Sequence, residues 1–145
     1  AVAHDTLNWS SVDDGEIRWG GGSRYAGQLN SAIATWNARG RVNIAPDTLL
    51  TYEDLHISDV NSGVGAWNGV TGMTSPLAGT DTLKINVFYL SAQNNNRRQN
   101  TITHELGHSL GLAHSINNNI MSRAQTEQTA LGPQDVSDYR FLWGG

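Results

Sequence analysis

The chain has 145 residues, no cysteine and a formal net charge of −4. It therefore has no disulfide, no thiolate metal site and no thiol nucleophile. It also lacks the cationic footprint of a protein that binds nucleic acid or an anionic membrane. The length suits one domain, residues 1–145, with a core of its own. Charged residues are 15%, against a usual quarter or so, and Gly, Asn, Ser and Thr fill the gap, so a loop-rich globular protein is expected. No run approaches the length of a membrane-spanning helix. The first residues, AVAHDTLNW, carry neither a basic nor an apolar leader region, so no signal peptide is expected.

Residues 1–15 are polar and turn-rich, with Trp9 and Val12 as anchors and His4 in a loose terminus. Glu16 to Trp19 alternates and predicts a first strand, broken by Gly20, Gly21, Gly22 and Ser23. That glycine run lacks the Lys-Ser/Thr of a phosphate-binding loop. Between Tyr25 and Ala38 the spacing of Leu29, Ile33 and Trp36 predicts a core-facing helix, capped by Ser23 and ended by Gly40. Arg41 to Ala45 and Asp54 to Val60 alternate as strands. His56 falls on the polar side of the second, with no histidine near enough in sequence to make it a metal ligand.

Residues 61–82 are rich in Gly, Asn, Thr and Asp, with an edge strand expected at Gly72 to Ser75. Oxygen donors of this kind hold calcium in some loops, but no EF-hand spacing is present and no Ca²⁺ ligand is identifiable. Leu83 to Tyr89 alternates cleanly and is the clearest strand.

The chemistry lies in His104 to His114, HELGHSLGLAH. A helix is expected from about Asn96 to Leu110, with Asn94 to Asn96 offering caps and Ile102, Leu106 and Leu110 forming its apolar stripe. His104 and His108, four residues apart, fall on one helix face about 6 Å apart along the axis. Glu105 lies roughly 100° round from His104, a position suited to touching a metal-bound water rather than the metal. Gly111 lets the chain leave the helix in left-handed geometry, so that His114 returns as a third ligand. Three nitrogens and one open position describe a catalytic Zn²⁺ site rather than a structural one. The pattern H-E-x-x-H alone has false positives; the glycine and third histidine at fixed offsets make it specific.

A polar loop then leads to Ile120, Met121 and Ser122. The last helix starts after Gly132, with Pro133 at its first position and Asp135 in its first turn. Val136, Tyr139, Leu142 and Trp143 give its buried face, and Gly144 stops it.

The stretch at 104–114 resembles the signature of the metzincin zinc endopeptidases, in which this motif is followed by a methionine turn. Met121 stands where that turn is expected. Within the clan the chain looks most like the matrixins, through HELGHSLGLAHS at 104–115 and LGPQDVSDYRFLWG at 131–144. The small snapalysin-like proteases have a similar layout, but with Asp where this chain has His114. The resemblance implies an α+β, zincin-like fold: a twisted, mostly parallel sheet with two long helices in a subdomain of about 1–111, then a small part from about 112 with the Met-turn and a final helix. It implies a secreted zinc endopeptidase that acts on proteins or peptides, as a monomer with no nucleic-acid or membrane partner. His104, His108 and His114 would hold the metal and Glu105 would be the general base for a metal-activated water. Met121 would lie below the ligands.

Some family features are missing. Outside the motif only His4 and His56 remain, too few for the second, structural zinc of matrixins. Ser122 and Arg123 follow the methionine where matrixins often have Tyr and Pro lining the pocket. No tyrosine comes before Tyr139 to act as an extra ligand, as in astacins. Asn100, Gly72, Met73, Thr74, Ser122 and Arg123 are the residues expected about the substrate pocket. The alternative function is a catalytically silent, zinc-containing peptide-binding module; such a module has no need of Glu105.

Overall fold

A computed structural model describes residues 3–145. Residues 1 and 2, the head of the stretch in which no leader is expected, lie outside them. The chain runs β1 (Glu16–Gly21), α1 (Ala26–Asn37), β2 (Asn43–Pro46), β3 (Leu55–Val60), β4 (Gly72–Ser75), β5 (Asp81–Asn86), the short α2 (Val87–Leu90), α3 (Asn95–Ser109) and α4 (Pro133–Trp143). The five strands form one sheet in the order β2-β1-β3-β5-β4. The first three pairings are parallel; β4 closes one edge antiparallel to β5. This is the mixed α+β architecture expected of a metzincin.

Parallel strands need crossover connections, which here cover the sheet with helices. Ile17, Ile44, Leu55, Ile57, Leu83 and Ile85 of the strands are essentially inaccessible. α1 packs on α3, and α3 reaches across to β5 and β4. Trp36 of α1 is buried and donates its indole N–H to Thr103 O of α3 at 2.9 Å. The stripe Ile102, Leu106 and Leu110 is fully buried, as the spacing predicts.

Three local expectations change. The first strand continues through Gly20 and Gly21, because both pair with β3 at His56 and Ile57. Ser23 does not cap α1: its hydroxyl donates to Asp59 of β3 at 2.6 Å and accepts the Tyr25 N–H. The strand expected to reach Tyr89 stops at Asn86. Asn86 caps α2 by accepting from Phe88 N, and its amide donates to Ser62 O and Val70 O. A side chain that gathers main-chain groups this way offers the backbone an alternative to the ladder, and alternation alone does not register it. His4 is also not loose: it meets Asp138 Oδ1 at 3.1 Å and stacks on Phe141.

α3 begins at an Asn94 cap, whose side chain accepts from Arg97 N. It ends in a Schellman turn: Gly111 N donates to His108 O and Leu112 N to Gly107 O. Gly111 takes φ +95° there, and a Cβ would stand 3.2 Å from Leu142 and 3.3 Å from Trp9 O. Gly111→Ala should therefore cost about 1–2 kcal/mol, seen as a fall in thermal midpoint of roughly 2–8 °C. An unchanged midpoint would show that the turn relaxes at no cost.

Candidate active site

α3 carries His104 and His108 on the side away from its apolar stripe, with Glu105 between the two in sequence, and the Schellman turn brings His114 back to meet the histidines. The three imidazole centroids lie 4.7 to 5.1 Å apart. One ligand atom from each lies within 4.8 Å of the others. Among the described residues they are the one group of three or more His, Cys, Asp or Glu side chains so arranged.

Main-chain carbonyls orient two of the rings. His104 Nδ1 meets Ile120 O at 2.8 Å and His108 Nδ1 meets Leu112 O at 2.7 Å. A carbonyl can only accept, so each Nδ1 carries the proton and Nε2 keeps a free lone pair. Burial pushes the pKa of His104 down to about 4, with His108 beside it adding to the effect. Burial also lowers His108 and His114, the latter helped by Arg123. All three rings are thus neutral at pH 7, the form that binds metal. Three neutral imidazoles with an open side fit a catalytic zinc.

Glu105 is buried at 6% exposure. Thr74 of β4 donates its hydroxyl to Glu105 Oε1 at 2.8 Å, while Oε2 stands 4.0 Å from His104 Nε2. Burial raises the carboxyl pKa to about 7, against the opposing hydrogen bonds from Thr74.

Met121, 1% exposed, lies beneath α3. Its sulfur stands where a Cβ on Gly107 would be, at 2.3 Å, which is why the helix carries glycine at that point. The turn is clamped from below by Asp135. Its carboxylate accepts from Ile120 N at 2.7 Å, Met121 N at 3.1 Å and Gly132 N at 2.8 Å. On the other side, Leu7 N donates to Gly111 O and Ala113 N to Asp5 O, bracing the chain that leads to His114.

Beside the triad opens a cavity of about 270 Å³. Of the residues expected about it, Gly72, Asn100 and Arg123 line it, together with Glu105, Thr101 and Gln125. Thr74 reaches Glu105 instead, Met73 is outside the lining, and Ser122 turns inward to donate to Ala124 O. Asn100 is buried and fixes the cavity wall by donating to Thr126 Oγ1 and Gln128 O. Gln125 does the same from the other direction, donating to Thr101 Oγ1 and Gln93 Oε1. Gln125 and Thr101 carry no sequence signal for this role. His56 is remote from the triad, at the surface beside Glu53. The 61–82 loop gathers no carboxylate cluster among the described residues, and nothing in it supports calcium.

Three histidines able to hold a metal, set about a helix over a buried methionine turn, are the arrangement of a metzincin metallopeptidase. The family model described as pregnancy-associated plasma protein-A matches residues 30–139, more than half of the chain. The chain belongs to this peptidase family, itself a metzincin family whose members are zinc metallopeptidases and are commonly extracellular. Comparison with curated proteins gives no match. No helix among the described residues is long and apolar enough to cross a membrane.

Because Asp135 holds the peptide that carries Ile120 O, its removal should loosen both the turn and His104. Asp135→Ala leaves three main-chain donors without their acceptor and should cost about 2–4 kcal/mol in denaturant unfolding. Zinc affinity should fall with it. Unchanged stability and metal affinity would show that the clamp is dispensable.

Proposed function

We propose that the chain is a zinc-dependent endopeptidase that hydrolyses peptide bonds in extended protein segments. The observation that carries this reading is the convergence of three neutral imidazoles with a buried carboxylate, of which His104, His114 and Glu105 line one cavity. His104, His108 and His114 would hold the ion through the nitrogens left free by their other contacts. Zinc bound there supplies Lewis acidity, lowering the pKa of water towards about 7 and polarising the substrate carbonyl.

The other steps belong to the protein. Glu105 takes the proton from the attacking water and passes it to the leaving amide nitrogen. Its raised pKa near neutrality suits a group that must do both. Thr74 holds Oε1, so the carboxylate cannot swing away from the histidines. The substrate lies along β4, the edge strand that packs against α3, as an added strand. Gly72 of that strand lines the cavity, so a peptide there passes Glu105.

Residues 1–145 act as one catalytic domain, in which the part up to about residue 111 carries the sheet and α3 and the remainder carries the Met-turn and α4. The resemblance to matrixins at 104–115 and 131–144 supports the endopeptidase reading, and secretion accords with a family whose members are commonly extracellular. The silent binding module is disfavoured by Glu105, buried and held at the triad at the cost of desolvating a carboxyl.

Cleavage of unfolded casein should stop with a zinc chelator and return when zinc is restored. Glu105→Ala should keep full zinc stoichiometry while kcat falls about 10²–10⁴-fold. His114→Ala should lose zinc. Folded, zinc-loaded protein that cuts nothing in a broad peptide library would overturn the reading.

A further inference from the structure

The cavity beside the triad carries a charge that the chemistry so far leaves unused. Arg123 is the one cation among its lining residues, and Glu105 is the one carboxylate. Glu105 is already committed to Thr74. Among the described residues no carboxylate lies within ion-pair distance of Arg123. Its nearest polar neighbour is His114 Nδ1, 3.5 Å from Nη1, at the outer limit for a hydrogen bond. A His114 that gives Nε2 to a metal keeps its proton on Nδ1, and a protonated nitrogen cannot accept from a guanidinium. Arg123, an exposed side chain on the cavity lining, therefore has no protein acceptor of its own among the described residues.

The rest of the wall is polar and fixed. Asn100 and Thr101 stand on α3, and the Gln125 amide is held from both sides by Thr101 and Arg97. Buried Asn100 ties the following loop at Thr126 and Gln128 to α3. Arg123 projects from the start of a loop fixed to the central helix, a condition under which one charge can select among side chains. A guanidinium offers a planar fork matched to a carboxylate.

We infer that Arg123 is a specificity-determining residue, selecting substrates with an aspartate or glutamate side chain at one position beside the cut bond. The inference rests on the peptidase reading above and adds to it the class of substrate. Lysine and arginine side chains would face like charge from Arg123 and are selected against.

The test uses the zinc-loaded full chain on a peptide library whose cut sites are sequenced. Asp or Glu should be enriched at one fixed position beside the cut. The acidic peptide should exceed its Asn or Gln twin by about ten- to hundredfold in kcat/KM. Arg123→Ala should erase that gap, Arg123→Lys should keep part of it, and Arg123→Glu should turn it in favour of Lys or Arg. Zinc content and thermal midpoint identify any variant that has merely misfolded.

A second readout needs no cleavage. Fluorescence anisotropy on Glu105→Ala should give the same gap in Kd between the acidic peptide and its amide twin, and the gap should vanish in Glu105→Ala/Arg123→Ala. Cleavage without acidic preference overturns the inference. So does a preference that survives in Arg123→Ala, which would place the carboxylate elsewhere. If nothing is cut but the Arg123-dependent binding gap remains, the peptidase reading falls and the pocket assignment stands.

Discussion

His104 and His108 each give an Nδ1 proton to a main-chain carbonyl, and the rest of the site depends on those two bonds. A side-chain acceptor would bring rotamer freedom to the centre; a carbonyl brings the rigidity of the segment that carries it. One segment is the Schellman turn, which sets Leu112 O by the same hydrogen bonds that end α3. The other is the Met-turn, where Asp135 holds the N–H groups of Ile120 and Met121. Ring orientation is thus passed to backbone, and the backbone is held by a buried carboxylate on the last helix. The two halves of the chain, α3 and α4, meet through this relay rather than through apolar packing alone.

α3 is buried on almost every side, which explains how it serves both as core and as platform. One face supplies Ile102, Leu106 and Leu110 to the core, and Trp36 closes on the helix at Thr103. The opposite face can afford little motion, because a metal-ligand set tolerates only a few tenths of an ångström. Gly107 and Met121 show the same constraint: the sulfur fills the space a side chain would need, and the turn is pressed against the helix. Burial also sets the chemistry. It keeps the histidines neutral and holds the Glu105 carboxyl near neutrality, opposite shifts from one cause acting on opposite charges.

Much of this was legible because it is local. The i, i+4 histidines, the Asn94 cap, the glycine after α3 and the Pro133 start of α4 are patterns within a few residues, and each appears as read. The edge strand at Gly72–Ser75 was also legible, as a short extended piece within a stretch rich in turn residues. What escaped is non-local. Nothing near Thr74 in sequence announces Glu105, thirty-one residues on. Gln125 and Thr101 form the cavity wall through a contact that polar residues in a loop do not advertise. His4 was read as loose because its partner, Asp138, lies at the other end of the chain. Asn86 defeated the alternation of Leu83 to Tyr89 for a related reason: its amide answers to Ser62 and Val70, in a loop over fifteen residues away.

The family assignment follows the same division between local and non-local information. The motif at 104–114 encodes what any three-histidine zinc peptidase needs, so it points to a clan and cannot by itself separate the clan's families. The family match spans residues 30–139, and so draws on most of α1, on β2 to β5 and on the post-methionine loop as well as on the three histidines. That loop is where families can diverge cheaply. Gln125, Thr126 and Gln128 are held by side-chain hydrogen bonds to α3, not by the sheet ladder. A change there leaves the carbonyls that orient His104 and His108 in place. The rings of His104 and His108 and the cavity wall at Gln125 to Gln128 therefore rest on different supports. A change at Arg123 leaves His104 and His108 on their carbonyls, and His114, 3.5 Å from its guanidinium, is the one imidazole of the three that meets it.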